Sequence, residues 1–156
     1  MSTIYIAGIA MTVFGRHLER SLDDLAREAL DGALADAGCS RAELGMAFYA
    51  GVTNGPLQGQ HSIPGQVVFS KIGIEGIPVF NVENACASGS SAFNLAIQSV
   101  KSGSCDVALA LGAGNVRHLA GGLHLRQPGA QVLLRRVGLH GRGARIDVLV
   151  HGGVSI

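Results

Sequence analysis

The chain has 156 residues, 47% of them apolar and only 15% charged, with a net charge of +1. Average proteins carry about 25% charged residues, so this composition excludes a disordered chain. The near-zero charge gives no ground for nucleic acid or an acidic membrane as partner.

The length suits one domain or a piece of a larger one. Three cysteines, Cys39, Cys86 and Cys105, are odd in number, far apart and without a CxxC pair. That argues against a disulfide framework or a zinc site and for a reducing compartment. The N-terminal run IYIAGIAMTVF has no basic residue before it and no A-x-A site after it, and it is too short to span a bilayer. It reads as a buried strand of a soluble, cytoplasmic protein.

Strand and helix signals alternate through residue 113. Ile4–Met11 is a β-branched apolar run suited to a strand buried on both faces. Ser21 opens a helix, with Asp24 three positions on as in a capping box. Leu22, Leu25, Ala26, Ala29, Ala33, Leu34 and Ala37 share one helical face, and Gly38 is placed to end it. Met46–Val52 is a second strand signal. A Gly-, Pro-, Asn- and Gln-rich loop over 53–65 leads into a turn or short helix, Gln66–Ile72. Pro78–Val82 reads as a third strand, Ala85–Lys101 as a helix ended by Gly103, and Val107–Gly112 as a fourth, apolar strand. This order implies a mostly parallel sheet with right-handed crossovers and helices on both faces, an α/β fold.

Composition changes near Gly114. Residues 1–113 hold six basic and ten acidic residues, net −4, whereas 114–156 hold six arginines, no lysine and only Asp147, net +5. Four of the six histidines (His118, His124, His140, His151) fall in this tail. Its short apolar runs, VLLRRVGL and IDVLV, sustain neither a helical nor an alternating period. The tail has no aromatic residue and no clustered basic block, so stacking on bases has no support.

Cys86 follows a strand signal and stands at a helix start, ahead of Ala87-Ser88-Gly89-Ser90-Ser91-Ala92. Thiolate, not thiol, is the reactive form, and helix N-termini favour negative charge. Small residues let a ligand or a second chain approach closely. These features suit covalent catalysis; a free cysteine is also very often a small buried hydrophobe, and the residues themselves leave both readings open. No G-x-S-x-G elbow surrounds Ser88, Ser90 or Ser91, and His17 and His61 lie in polar loops.

GQHSIPGQ (59–66) and PVFNVENACASGSSAFNLAIQSVKSGSCDVALALGA (78–113) resemble the N-terminal domain of thiolases, closest to the branch of the sterol-carrier-protein and lipid-transfer thiolases. The likeness extends more loosely back to IYIAGIAMTVFGRH and SLDDLAREALDGALADAG. It implies a thiolase-like layered fold, built as a duplicated α/β unit that dimerises, of which only the first half-unit is present here. It implies that Cys86 is the acyl-accepting nucleophile of an acyl-CoA acyltransferase in fatty acid or lipid metabolism. Coenzyme A thioesters would then be substrates, with no other cofactor and no metal. A homodimer is expected, and an acyl-CoA-binding partner protein is an alternative for a Claisen or retro-aldol enzyme.

Thiolases carry a second half with a G-H-P histidine, a C-x-G cysteine and an N-E-A-F-like segment, and this sequence contains none of them. Cys39 and Cys105 read as structural. The expectation is therefore a half-domain over 1–113 with a non-matching tail over 114–156, catalytically impaired or serving as a dimerisation or acyl-CoA-binding module. The family continues after VALALGA with an acidic residue and a methionine, where this chain reads GAGNVRHLAGG. Arg-, Gly-, Leu- and His-rich sequence is what off-frame reading of GC-rich DNA gives, so the tail is read as a shifted frame or an unrelated terminus. Translating the other two frames beyond codon 113 is expected to yield an E-x-M and a downstream G-H-P; neither frame doing so would remove the idea.

Overall fold

Five strands form one sheet in the computed structural model of this chain, which describes residues 3–15, 17, 19–52, 54–55 and 59–114, and the backbone of 130–137. Strand β1 is Thr3–Met11, β2 Met46–Ala50, β3 Val79–Val82, β4 Val107–Gly112 and β5 Ala130–Val137. Helix α1 is Leu22–Ala37, α2 Pro64–Lys71 and α3 Ser88–Ser102, with a single 3-10 turn at Arg41–Glu43. The spatial order is β1-β5-β4-β2-β3. Strand β2 pairs parallel with both β3 and β4, and β5 runs antiparallel between β1 and β4. Four strands thus share one direction, as the alternating pattern implied, and β5 is the exception.

The ends of the helices are set by local chemistry. The Asp24 N–H donates to Ser21 Oγ at 3.0 Å, and the Ser21 N–H donates back to Asp24 Oδ2 at 3.0 Å, which closes a capping box. The Ser21 hydroxyl, which donates to Asp24 Oδ2 at 2.6 Å, and then the Ser21 N–H hold the Asp24 carboxyl below its ordinary range. At the other end Gly38 turns left-handed at φ 61°, and the Gly38 and Cys39 N–H groups donate to Ala35 and Leu34. That is a Schellman motif. Gly103 ends α3 in the same way, with φ 79° and bonds from Gly103 to Val100 and from Ser104 to Ser99.

Alternation along the strands divides the core in two. Ala47, Tyr49, Leu109 and Leu111 face α1 and α2, packing on Leu30, Ala33, Val68 and Phe69. Phe48, Ala50, Ala108 and Ala110 face α3, packing on Ala92, Ala96 and Val100. Each large side chain buried this way contributes about 1.5–3 kcal/mol. Helix α1 rides directly on β1: a Cβ on Gly8 would stand 2.3 Å from the Ala33 carbonyl oxygen. The pairing of β1 with β5 shifts register between Ile6 and Gly8 at that contact.

Three sequence expectations change. Strand β1, expected to be buried on both faces, is an edge strand on which Ile9 and Met11 are exposed. The helix expected from Ala85 begins at Ser88, because residues 84–87 form a turn instead. A strand occupies Ala130–Val137, within the stretch where no period held. Its apolar run is short and broken by Arg135 and Arg136, and such a run carries no decisive periodicity. The remainder of the tail, with its four histidines, lies outside the described residues.

Strands β2 and β3 are parallel neighbours, so the loops that follow them leave from the same edge of the sheet. The chain after β2 passes to α2 on one face, and the chain after β3 passes to α3 on the other. This divergence is a topological switch point, and in open α/β sheets the crevice outside the carboxyl ends of such strands is where ligands bind.

Candidate functional site

Cys86 lies at that crevice, four residues beyond β3 and two before α3, and it is exposed. It occupies the tip of a tight turn. The Ala87 N–H donates to the Asn84 carbonyl at 2.9 Å, which places Ala85 and Cys86 at the two central positions. Ala85 has φ 44°, a left-handed conformation that L-residues avoid. A left-handed residue with a Cβ costs about 1–2 kcal/mol.

The turn is held against that cost by serines from the first turns of α3. The Asn84 N–H donates to Ser88 Oγ at 2.8 Å, and the Ser88 hydroxyl donates to the Ala85 carbonyl at 2.8 Å. The Asn84 side-chain amide donates to Ser91 Oγ at 3.0 Å. At roughly 1 kcal/mol net each, these bonds are of the size needed to offset the left-handed alanine. Ala87, Gly89 and Ser90 are exposed, and a Cβ on Gly89 would meet nothing within 4 Å. Gly89 therefore borders open space, three residues beyond Cys86.

A second set of contacts shapes the opposite wall. Helix α2 starts after Ile63, itself left-handed at φ 46° and 57% exposed, with Pro64 in the first turn. Ile63 supplies no cap, and Asn81 on β3 takes that role: the Gly65 N–H donates to Asn81 Oδ1 at 2.6 Å. Asn81 in turn donates to Gln66 Oε1 at 2.7 Å, and Gln66 donates to the Val79 carbonyl at 3.1 Å. Gly65 is required here, because a Cβ would lie 2.6 Å from Tyr49 Cβ and 2.7 Å from Asn81 Oδ1. The GQHSIPGQ stretch thus ends in a helix start clamped onto β2 and β3.

Below this wall Tyr49 is wholly buried. Its hydroxyl donates to the Ala113 carbonyl at 3.2 Å and accepts from Asn54 Nδ2 at 2.8 Å. The loop after β2 is thereby tied to the end of β4. Asn54 is 4% exposed, and its Oδ1 has no partner among the described residues. Burial pushes the Tyr49 hydroxyl up to about 12, against the Asn54 bond that pulls it down.

The other sequence candidates have their own local surroundings. Cys105 is buried under Gly45, and Cys39 is half-buried with its thiol 3.6 Å from the Ala37 carbonyl. His17 Nε2 stands 2.7 Å from the Val13 carbonyl, and His61 is exposed beside Gly55. Among the described residues no three of His, Cys, Asp and Glu are grouped to hold a metal ion. The residues missed by sequence reasoning are Asn84, Ala85 and Ser88 in the turn, and Tyr49 and Asn54 behind it. A lone alanine carries no sign of a positive φ.

Exposure predicts the order of thiol labelling. Iodoacetamide is expected to modify Cys86 first, Cys39 more slowly and Cys105 least, read by peptide mass spectrometry; equal rates would contradict the exposed turn. Tyr49 predicts an alkaline weakness. An unfolded tyrosine ionises near 10, so between about pH 10 and 12 the folded protein keeps a proton that the unfolded chain has lost. Stability then falls with rising pH across that window, by about 2–3 kcal/mol in all. Urea melts across this range should show the fall, and Tyr49→Phe should flatten it.

The comparisons with known proteins agree with one another. The family model for the thiolase N-terminal domain matches residues 4–129, beyond the point at which the sequence pattern was expected to stop. Sterol carrier protein 2 of Gallus gallus is 39% identical over 111 residues, covering 70% of this chain and 19% of that protein. Benzoylsuccinyl-CoA thiolase subunit BbsB of Thauera aromatica is 38% identical over 122 residues, covering 76% of this chain and 30% of the subunit. The fold is shared with 3-oxoacyl-[acyl-carrier-protein] synthase III from Aquifex aeolicus, with a TM-score of 0.68 and 18% identity, over 86% of this chain and 54% of that one. The chain thus spans less than a third of these curated relatives and about half of the solved structure. It belongs to the thiolase family, whose N-terminal domain it matches.

Proposed function

We propose that this chain is the first half of a thiolase-type acyl-CoA acyltransferase and that Cys86 accepts the acyl group. The observation that carries the reading is an exposed cysteine at the tip of a strained turn, at the switch point of a thiolase-family sheet. In the step proposed, the Cys86 sulfur attacks the thioester carbonyl carbon and a new C–S bond forms. The C–S bond to coenzyme A breaks, its electron pair leaves with the coenzyme A sulfur, and the proton lost by Cys86 balances the one that sulfur gains. No oxidation state changes. The acyl group then passes to a second nucleophile.

In this reading the chain is a slow or impaired catalyst by itself. No G-H-P segment, the expected source of the activating histidine, occurs in these 156 residues, and loss of an activating base costs several orders of magnitude. A second reading has one specific observation in its favour. The Thauera relative is named as a subunit, which fits an enzyme completed by a partner protein.

Incubation of the whole chain with acetyl-CoA is expected to give a slow acetyl adduct on Cys86, seen by intact-mass and peptide mass spectrometry and lost in Cys86→Ala. Absence of the adduct, while iodoacetamide still labels Cys86, would overturn acyl transfer by this chain. Retained binding of acetyl-CoA without an adduct would then favour the non-catalytic binding module.

A further inference from the structure

We propose that Ser88 is a positioning residue for Cys86: its hydroxyl holds the turn that presents the sulfur. The inference rests on the reading of Cys86 as acyl acceptor. Ser88 stands apart from the small residues around it. Ala87, Gly89 and Ser90 are exposed, whereas Ser88 is 5% exposed. Its one hydroxyl serves two bonds, accepting from the Asn84 N–H and donating to the Ala85 carbonyl, both at 2.8 Å. Those groups belong to the peptide units on either side of the Asn84–Ala85 pair, so the hydroxyl spans the left-handed residue.

The backbone bonds alone do not fix this geometry. The Ala87 N–H to Asn84 carbonyl bond closes a four-residue turn, and the Ser88 N–H reaches the Ala85 carbonyl at 3.2 Å; such turns form with either sign of φ at the second position. The sign selects where the third position, Cys86, directs its side chain. With the Ser88 hydroxyl in place, Ala85 stays at φ 44°; without it, the lower-energy choice for an alanine is negative φ. The Asn84–Ser91 bond ties the turn to α3 but touches neither peptide of Ala85. Ser88 is therefore the side chain among the described contacts that bonds directly to the strained residue.

Acyl transfer and alkylation separate position from exposure. Acylation depends on the sulfur's placement relative to its surroundings, whereas iodoacetamide needs only an exposed, reactive thiol. In the whole chain, Ser88→Ala is expected to slow acetylation of Cys86 by acetyl-CoA about tenfold, with iodoacetamide labelling changed by less than about twofold. Cys105, buried in the core, reports the fold by staying unlabelled. Adding Ala85→Gly to Ser88→Ala should recover most of the rate, because glycine takes positive φ without cost. Ser88→Thr, which keeps the hydroxyl, should acetylate at close to the starting rate. That variant decides the matter if Ser88→Ala exposes Cys105: a large loss in Ser88→Thr with Cys105 still protected overturns the inference. Unchanged acetylation in a folded Ser88→Ala overturns it as well and leaves Cys86 as acceptor intact. No acetylation of the unsubstituted chain removes the reading of Cys86 and this inference together.

Discussion

Burial of β2 and β4 on both faces is the constraint from which the site follows. Ala47 and Tyr49 point one way and Phe48 and Ala50 the other, and all four are buried. Val107–Leu111 is buried throughout as well. A sheet with two apolar faces needs helices on both. In this chain order α2 covers one face and α3 the other. Because those two helices follow adjacent parallel strands, the connections diverge at the carboxyl edge, and the cysteine carried by the second connection stands in the gap. The site is thus a consequence of how the core is closed.

Polar groups and strain gather at the same edge. Two non-glycine residues adopt positive φ among the described residues, Ile63 and Ala85, and each sits at the junction leading into a helix. Left-handed residues of this kind cost about 1–3 kcal/mol each and persist where their surroundings over-determine them. Here the surroundings are identifiable. Asn81 and Gln66 clamp the start of α2, and Ser88 brackets Ala85. Behind them the Asn54–Tyr49–Ala113 chain fixes the loop after β2 to the end of β4. Three connections that a parallel sheet brings to one edge are each held by at least one side-chain bond.

Much of this was legible in the sequence where the local signal was strong. The Ser21 capping box, the Gly38 and Gly103 stops and the strand over Val107–Gly112 stand as read, because caps and apolar runs are written in adjacent residues. The small residues after Cys86 leave room for a ligand or a second chain, and a Cβ on Gly89 would meet no atom within 4 Å. Other features depend on distant partners. That Ser88 rather than Ser90 is buried, and that Tyr49 meets Asn54, follows from packing and not from spacing. The helix start expected at Ala85 falls at Ser88, because alanine at 85 gives no sign of a left-handed turn. Strand β5 carries no decisive period of its own, because its place is set by pairing on both edges, with β4 before it and with β1 at the far end of the chain.

The face carrying α3 also bears on the surroundings of the sulfur. Ile4 and Ile6 pack on the α3 side of the sheet, whereas beyond the register shift Gly8 and Ala10 meet α1. Ile9 and Met11 therefore turn back to the α3 side, where they are 54% and 45% exposed, and Leu95 on α3 is 44% exposed. Three large apolar side chains are thus exposed on this side, and the solved structure that shares the fold extends well beyond the matched part. Leu95 stands seven residues along α3 from Ser88, about 10 Å at 1.5 Å per residue. Whatever covers Leu95 therefore comes within about two helical turns of the Cys86 turn. Any surface that packs on Leu95 therefore lies close enough to the Cys86 turn to help shape the surroundings of the sulfur.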